Sequence, residues 1–184
     1  PSLGSTIYTV IGTDVNGCFD SDSLIILVNP LPLVSAGSDQ IICSESTVTL
    51  QGSGALTYLW NNGITNGVAF QPTANGTYTV TGTDANGCQS SDVVTISIEA
   101  PVDVNFTVNT AQGCAPLQVT FTNLSSGGSN CFWEFSDGST AMGCGSVNHL
   151  FENAGCYDVT LTTTTALGCV SDTQLMSVVC VFPN

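Results

Sequence analysis

The stretch YTVIGTDVNGC, Tyr8 to Cys18, returns 70 residues later as YTVTGTDANGC, Tyr78 to Cys88, with nine of eleven positions identical. Self-similarity at a fixed period marks a chain assembled from repeated supersecondary units, each too small to bury its apolar face alone. Each copy encodes the same local structure. Tyr78 and Val80 alternate with polar residues, as in a strand with one buried face. Asp84-Ala85-Asn86-Gly87 reads as a turn, because Asn and Gly accept the positive φ angles that a tight reversal needs. After the cysteine, Val94, Ile96 and Ile98 alternate with Val93, Thr95 and Ser97 in a second strand. The continuations FDSDSLIILVNP and QSSDVVTISIEAP both end at a proline junction. The unit is the terminal strand pair of a β-sandwich.

The second copy has the rest of a sandwich in front of it. IICSESTVTLQG, LTYLWNNG and GVAFQP read as short strands punctuated by turns, and Asn-Gly occurs five times in the chain, at Asn16, Asn62, Asn66, Asn75 and Asn86. Seven short strands over residues 31–100 describe an immunoglobulin-like sandwich. No stretch shows a 3.6-residue period, so the fold class is all-β. Cys43 opens this domain and Cys88 closes it; a bridge between them would close a loop of 45 residues, worth about 4 kcal/mol in the chain-entropy picture. Residues 1–30 hold only the last strand pair of an equivalent domain, and an isolated hairpin is marginal in water. Either strands before Pro1 in a longer chain complete that sandwich, or a neighbouring molecule supplies them, and the repeat logic favours the first. Cys18 has no cysteine before it and is expected to be unpaired within this segment.

Composition narrows the functions. The 184 residues include 14 Asp and Glu, one His and no Lys or Arg. Nucleic acids, which are held by basic side chains, are excluded as partners, and anionic membranes are disfavoured for the same reason. The longest aliphatic run, Leu24 to Val28, is too short to cross a bilayer. The nine cysteines are all more than ten residues apart, without the close pairs that zinc requires. They read as disulfides formed in an oxidising compartment.

From Pro101 to Asn184 the pattern changes. CFWEFSDGST and HLFENAGCYDVTL carry Trp133, Phe135, Asp137, Gly138 and Ser139, then His149, Gly155, Tyr157, Val159 and Leu161. This segment resembles the PKD domain, a β-sandwich related to the immunoglobulin fold. Glu134, Ser136 and Phe151 depart from that motif, where Asp, Gly and Tyr are usual. The preceding modules resemble immunoglobulin-like repeats of large bacterial surface proteins. The alternation is similar to giant gliding-motility adhesins exported by the type IX route. That resemblance implies an extracellular, cell-surface, extended protein whose partners are neighbouring repeats of the same long chain and a surface, polysaccharide or protein ligand. Six cysteines in this segment allow fifteen pairings. Repeat position suggests Cys114 with Cys169, and local spacing suggests Cys131 with Cys144 and Cys156 with Cys180.

Candidate sites are few. His149 is the single histidine and lacks a nucleophile-elbow motif beside it, so it is expected to pack beside the SDGST turn, and no catalytic residue is assigned. Trp60 and Trp133 could stack on sugars, but mid-strand positions favour the core; Phe132, on the opposite face from Trp133, is the better candidate for exposure. Asp14, Asp20 and Asp22 crowd one turn, and Asp84 and Asp92 its copy, a possible source of oxygen ligands for calcium; no other cofactor is expected. Asn75, Asn105 and Asn123 stand in glycosylation sequons, and Ser23 matches a short bacterial glycosylation pattern. The leading expectation is a non-enzymatic segment of a surface adhesin or filament. The alternatives are a polysaccharide-binding spacer of a secreted enzyme, and a self-assembling subunit that exchanges strands through residues 1–30.

Overall fold

The computed structural model describes residues 3–184. Those residues form sixteen β-strands and one 3-10 turn at Asn61–Gly63, an all-β architecture of sandwiches with three disulfides. Two compact units emerge: one is the chain up to Gln40 together with Thr47–Ser97, the other Ile41–Ser46 together with Ile98–Asn184.

The first unit opens with β1 (Gly4–Thr13) and β2 (Phe19–Val28), an antiparallel pair in register from Gly4 opposite Val28 to Thr13 opposite Phe19. Then come β3 (Gln40–Cys43), which spans the division between units, β4 (Val48–Thr49), β5 (Thr57–Trp60), β6 (Ala69–Phe70), β7 (Gly76–Thr83) and β8 (Gln89–Glu99). Strands β3, β8, β7 and β5 make one sheet in that order, and β4 with β6 makes a second. Six strands stand where seven were expected, with Ser35 bridged to Ser53 as an isolated pair. The alternation read from the sequence sets the core: Tyr78, Val80, Val94 and Ile96 point inward, with Val48, Leu50 and Trp60. Trp60 donates its indole N–H to Asn66 Oδ1, which also accepts the amide of Gly52, so the buried ring keeps its one polar atom satisfied.

Pairing β1 with β2 reproduces the β7–β8 ladder but not its burial. Val10 is 68% exposed and its counterpart Val80 is 0%; Leu24 is 63% exposed and its counterpart Val94 is 0%. The glycines of the two copies differ likewise. A Cβ at Gly82 would lie 2.5 Å from Val34 and 2.7 Å from Ala55, whereas one at Gly12 would meet nothing within 4 Å. Both copies carry the side chains of a sandwich interior, and only the second is covered.

The second unit contains β9 (Phe106–Val108), β10 (Gln112–Cys114), β11 (Leu117–Asn123), β12 (Asn130–Phe135), β13 (Thr140–Met142), β14 (Ser146–Phe151), β15 (Gly155–Thr164) and β16 (Val170–Phe182). A five-stranded sheet, β10-β16-β15-β12-β13, faces a three-stranded one, β14-β11-β9. Trp133, Phe106, Phe121, Phe135 and Phe151 fill the space between, with Val119, Val159, Leu161, Val179 and Val181. Their rings meet edge-on or tilted, 5.1 Å apart for Phe106 and Trp133 and also for Phe121 and Phe135, the arrangement the ring quadrupoles favour. The β15–β16 ladder slips between Tyr157 and Val159. There Ser177 takes φ +49°, and the Asp158 carboxylate accepts its amide at 2.7 Å, supplying a partner that the interrupted ladder does not.

Candidate functional site

The repeated Gly-Cys turn occurs three times with one backbone geometry. The amides of Asp14, Asp84 and Thr165 donate to the carbonyls of Cys18, Cys88 and Cys169 at 2.8, 3.0 and 2.9 Å. Gly17, Gly87 and Gly168 each take φ between 82° and 87°, a conformation that a side chain resists. Asp14 Oδ1 accepts the amides of Asn16 and Cys18, and Asp84 Oδ1 those of Asn86 and Cys88. In the third copy Thr165 Oγ1 accepts the Cys169 amide and donates to a Glu99 carboxylate oxygen 2.7 Å away. The turn thus delivers a cysteine to one fixed place before the last strand of each repeat.

What the cysteines meet differs from the sequence expectation. Cys43 is bonded to Cys169, 126 residues away, rather than to Cys88; Cys114 is not bonded to Cys169. Strand direction gives the reason. Asp92 accepts the amide of Ala36 and Asp39 that of Thr95, both bonds at an offset of 56 residues. A constant offset means that the chain through Asp39 runs parallel to β8, which carries β3 and Cys43 toward the Glu99 end of that strand. Cys88 precedes the opposite end of that eleven-residue strand, about 36 Å away along an extended chain. In the same way β10 runs parallel to β16 with Cys114 beside Phe182, while Cys169 precedes Val170 at the other end. Cysteines whose Cα atoms stand that far apart cannot bond. Cys131 is bonded to Cys144 and Cys156 to Cys180. Cys18, Cys88 and Cys114 are thiols.

Among the described residues, the cluster with the residue types of a hydrolytic site lies at the SDGST turn. Its backbone closes through Gly138 N to Phe135 O at 2.9 Å and Phe135 N to Ser139 O at 3.0 Å. Asp137 Oδ1 accepts both the amide and the hydroxyl of Ser139, at 2.9 and 2.5 Å. Asp137 Oδ2 lies 2.7 Å from His149 Nε2, and Ser139 Oγ lies 3.1 Å from that same nitrogen. In a serine hydrolase the carboxylate and the serine hold opposite nitrogens of the ring, so a proton can pass through it. Here both partners crowd Nε2 and the serine hydroxyl already points at the carboxylate, an arrangement that positions groups and relays nothing. Burial pushes the Asp137 carboxyl up, but bonds from the Ser139 hydroxyl and amide and from His149 more than offset it and hold it below the usual 3.8. The imidazole is stacked 4.2 Å from Phe135 and stands edge-on to Phe151 at 4.5 Å. The cluster clamps the turn to β14.

The remaining candidates have local roles. Trp60 and Trp133 are buried, and the Trp133 indole donates to Gly143 O, so neither offers a face to a sugar. Phe132 is half-buried. Asp20, Asp22 and Asp92 accept the amides of Ser21, Ser23 and Ala36. With Asp14 and Asp84 they cap backbone rather than converge, and among the described residues no three His, Cys, Asp or Glu gather where an ion would sit. Ser23 Oγ is 2.9 Å from Thr9 Oγ1; in the second copy the corresponding pair is Thr79 and Val93, and the hydroxyl contact lies instead between Thr81 and Ser91, at 3.0 Å. Asn75 and Asn105 are exposed, while Asn123 donates its side-chain amide to Cys144 O. The bond from the Ala36 amide to the Asp92 carboxylate, which pins the segment before β3, had no sequence signal beyond an acid in a strand.

Residues 98–180 match the model of the PKD domain. The fold of the chain is similar to that of the N-terminal eight Ig domains of Down Syndrome Cell Adhesion Molecule, at 15% identity and a TM-score of 0.53, over 94% of this chain and 31% of that one. It is also similar, at 15% identity and a TM-score of 0.49, to a calcium-stabilised adhesin with which an Antarctic bacterium binds ice, over 98% of this chain and 57% of that one. The chain therefore spans less than two thirds of either protein. None of the curated proteins compared with it matches in sequence.

Proposed function

We propose that the chain is a load-bearing stretch of a long extracellular bacterial surface protein, an adhesin or filament of the gliding-motility kind, built from sandwiches in tandem. Tandem PKD and Ig-like domains are typical of extracellular structural or adhesive segments and are usually non-catalytic. Disulfide-bonded domains of this kind suit an extracellular location, and no helix among the described residues is long and apolar enough to cross a membrane.

The observation that carries the reading is the uncovered hairpin. Tyr8, Val10, Leu24 and Ile26 are exposed where Tyr78, Val80, Val94 and Ile96 are buried. A strand pair with that much apolar surface is the complement of strands like β3 to β6, and sandwiches that follow one another along a chain provide them. The same exposure supports a second reading, in which the hairpin completes the sandwich of a neighbouring molecule. Force spectroscopy of the chain held by its two ends tests the mechanical role. Oxidised chains yield short extensions limited by the three disulfides, and reduction lengthens them. A hydrolytic activity lost in His149→Ala would contradict the non-catalytic reading.

A further inference from the structure

Cys88 is half-buried and Cys114 exposed, both as thiols, and neither can reach the cysteine at the other end of its own repeat, Cys43 or Cys169. The parallel first strand carries Cys43 toward the far end of β8 and puts Cys114 beside Phe182, at the far end of β16. The Gly-Cys turn puts Cys88 and Cys169 before the near ends of the same strands. One bridge shows how such cysteines are used: Cys43, from the opening strand of the 31–100 repeat, holds Cys169, from the closing turn of the next. The turn that carries Cys169 is anchored there by the hydrogen bond from Thr165 to Glu99, the last residue of β8.

Shifting this arrangement by one repeat gives every thiol a partner type. Cys114 occupies in its repeat the place of Cys43, and Cys88 occupies the place of Cys169, in a turn with the same backbone hydrogen bonds and the same glycine conformation. We propose that the bridge is one rung of a ladder. In that ladder Cys114 bonds the Gly-Cys turn of a sandwich following it in the same polypeptide, and Cys88 bonds an opening-strand cysteine of a sandwich preceding it. Cys18, in the first copy of the turn, is placed for the same use. Each rung forms by thiol–disulfide exchange. A cysteine thiolate attacks the disulfide of an oxidant such as oxidised glutathione and displaces one glutathione thiolate. The partner thiolate then displaces the second. Two thiols and one oxidant disulfide give one rung and two reduced glutathiones. The ladder stands on the pairing geometry and holds whether or not the chain is adhesive. Its consequence is mechanical: force on one sandwich passes to the next through a covalent bond as well as through the linker.

The test extends the chain after Asn184 with a second copy of residues 31–100 and refolds it in a glutathione redox buffer. Free thiols are alkylated, and the protein is cleaved at acidic residues without reduction. The expected product joins Cys114 to the closing-turn cysteine of the added copy, the counterpart of Cys88, and in Cys114→Ser that closing cysteine becomes alkylated. The proposal is overturned if the closing cysteine of the added copy is free or bonds its own opening cysteine, or if Cys114 forms only bridges between molecules. A second arm needs no extension. In Cys43→Ser the released Cys169 is expected to alkylate, and a new Cys114–Cys169 bridge would overturn the geometry on which the ladder rests.

Discussion

Cys114 stands directly beside Phe182, the last residue of the thirteen-residue strand that begins immediately after Cys169. The two cysteines of one repeat are thus held apart by the length of its longest strand. The same holds for Cys43 and Cys88 across β8. Parallel pairing of the first and last strands is a property of the sandwich, so it governs both repeats.

The covered and uncovered copies of the repeat respond differently to the same substitution. Val80→Ala removes two buried methyl groups and leaves a cavity, and is expected to cost about 2 kcal/mol. Val10→Ala, at an exposed position, stays within about 0.5 kcal/mol. Urea midpoints of the two variants check this. Equal losses would mean that the hairpin is covered in solution.

Trp133 anchors the PKD core. Trp133→Ala empties a fully buried site surrounded by Phe106 and Phe121 and is expected to cost about 3–5 kcal/mol. Phe132→Ala, on the other face of β12, is expected to cost well under half of that. Thermal melts resolve the difference.

Much of this was legible in the sequence. The alternation in YTVTGT and VVTISI sets which side chains face inward, and Asn-Gly and Gly-Cys fix the turns. Trp133, inside β12, and Trp60, the last residue of β5, both lie in the core as their strands' patterns indicated. Cysteine partnership was legible only where chain proximity decides it: Cys131 and Cys144 flank the β12–β13 hairpin, and Cys156 and Cys180 belong to neighbouring strands. For Cys43, Cys88, Cys114 and Cys169, the deciding fact is which strand lies parallel to the last one, a long-range pairing that no local pattern encodes. The acids of the turns misled for a related reason. A cluster of Asp in sequence looks like an ion site until each carboxylate is seen to accept an amide of its own turn or of a segment 56 residues away.

His149 acts as a clamp, so its removal should destabilise without abolishing any chemistry. His149→Ala loses the contacts with Phe135 and Phe151 and the bond to Asp137, an expected cost of about 2 kcal/mol. The melting temperature of the variant checks this, and an unchanged value would contradict the role.

Acid should unfold the chain through its capping carboxylates. Hydrogen bonds from the Ala36 and Val93 amides hold Asp92 below the usual 3.8, and the Cys18 and Asn16 amides do the same for Asp14. A carboxyl depressed in the folded state stabilises it fully above the unfolded value, and the effect is lost as pH falls through the lower folded value. Asp92→Asn is therefore expected to be less stable than the parent at pH 7, with the gap closing below about pH 4. A pH series of melting temperatures on both proteins measures it; a gap independent of pH would contradict the assignment.

The bridge between Cys43 and Cys169 closes a loop of 126 residues, which the chain-entropy model values at about 5 kcal/mol. Cys43→Ser should lower the denaturation midpoint by much more than Cys88→Ser, which breaks no bond. Similar midpoints for the two variants would show that the bridge contributes little.

The most direct test is a disulfide map of the oxidised chain. With no Lys or Arg to cut at, trypsin is useless, and cleavage at Asp and Glu after alkylation, without reduction, separates the cysteine peptides for mass spectrometry. The structure requires a peptide containing Cys43 linked to one containing Cys169, with Cys88 and Cys114 alkylated. Recovery of Cys43 linked to Cys88, or of Cys114 linked to Cys169, would contradict the parallel strand register and the staple built on it.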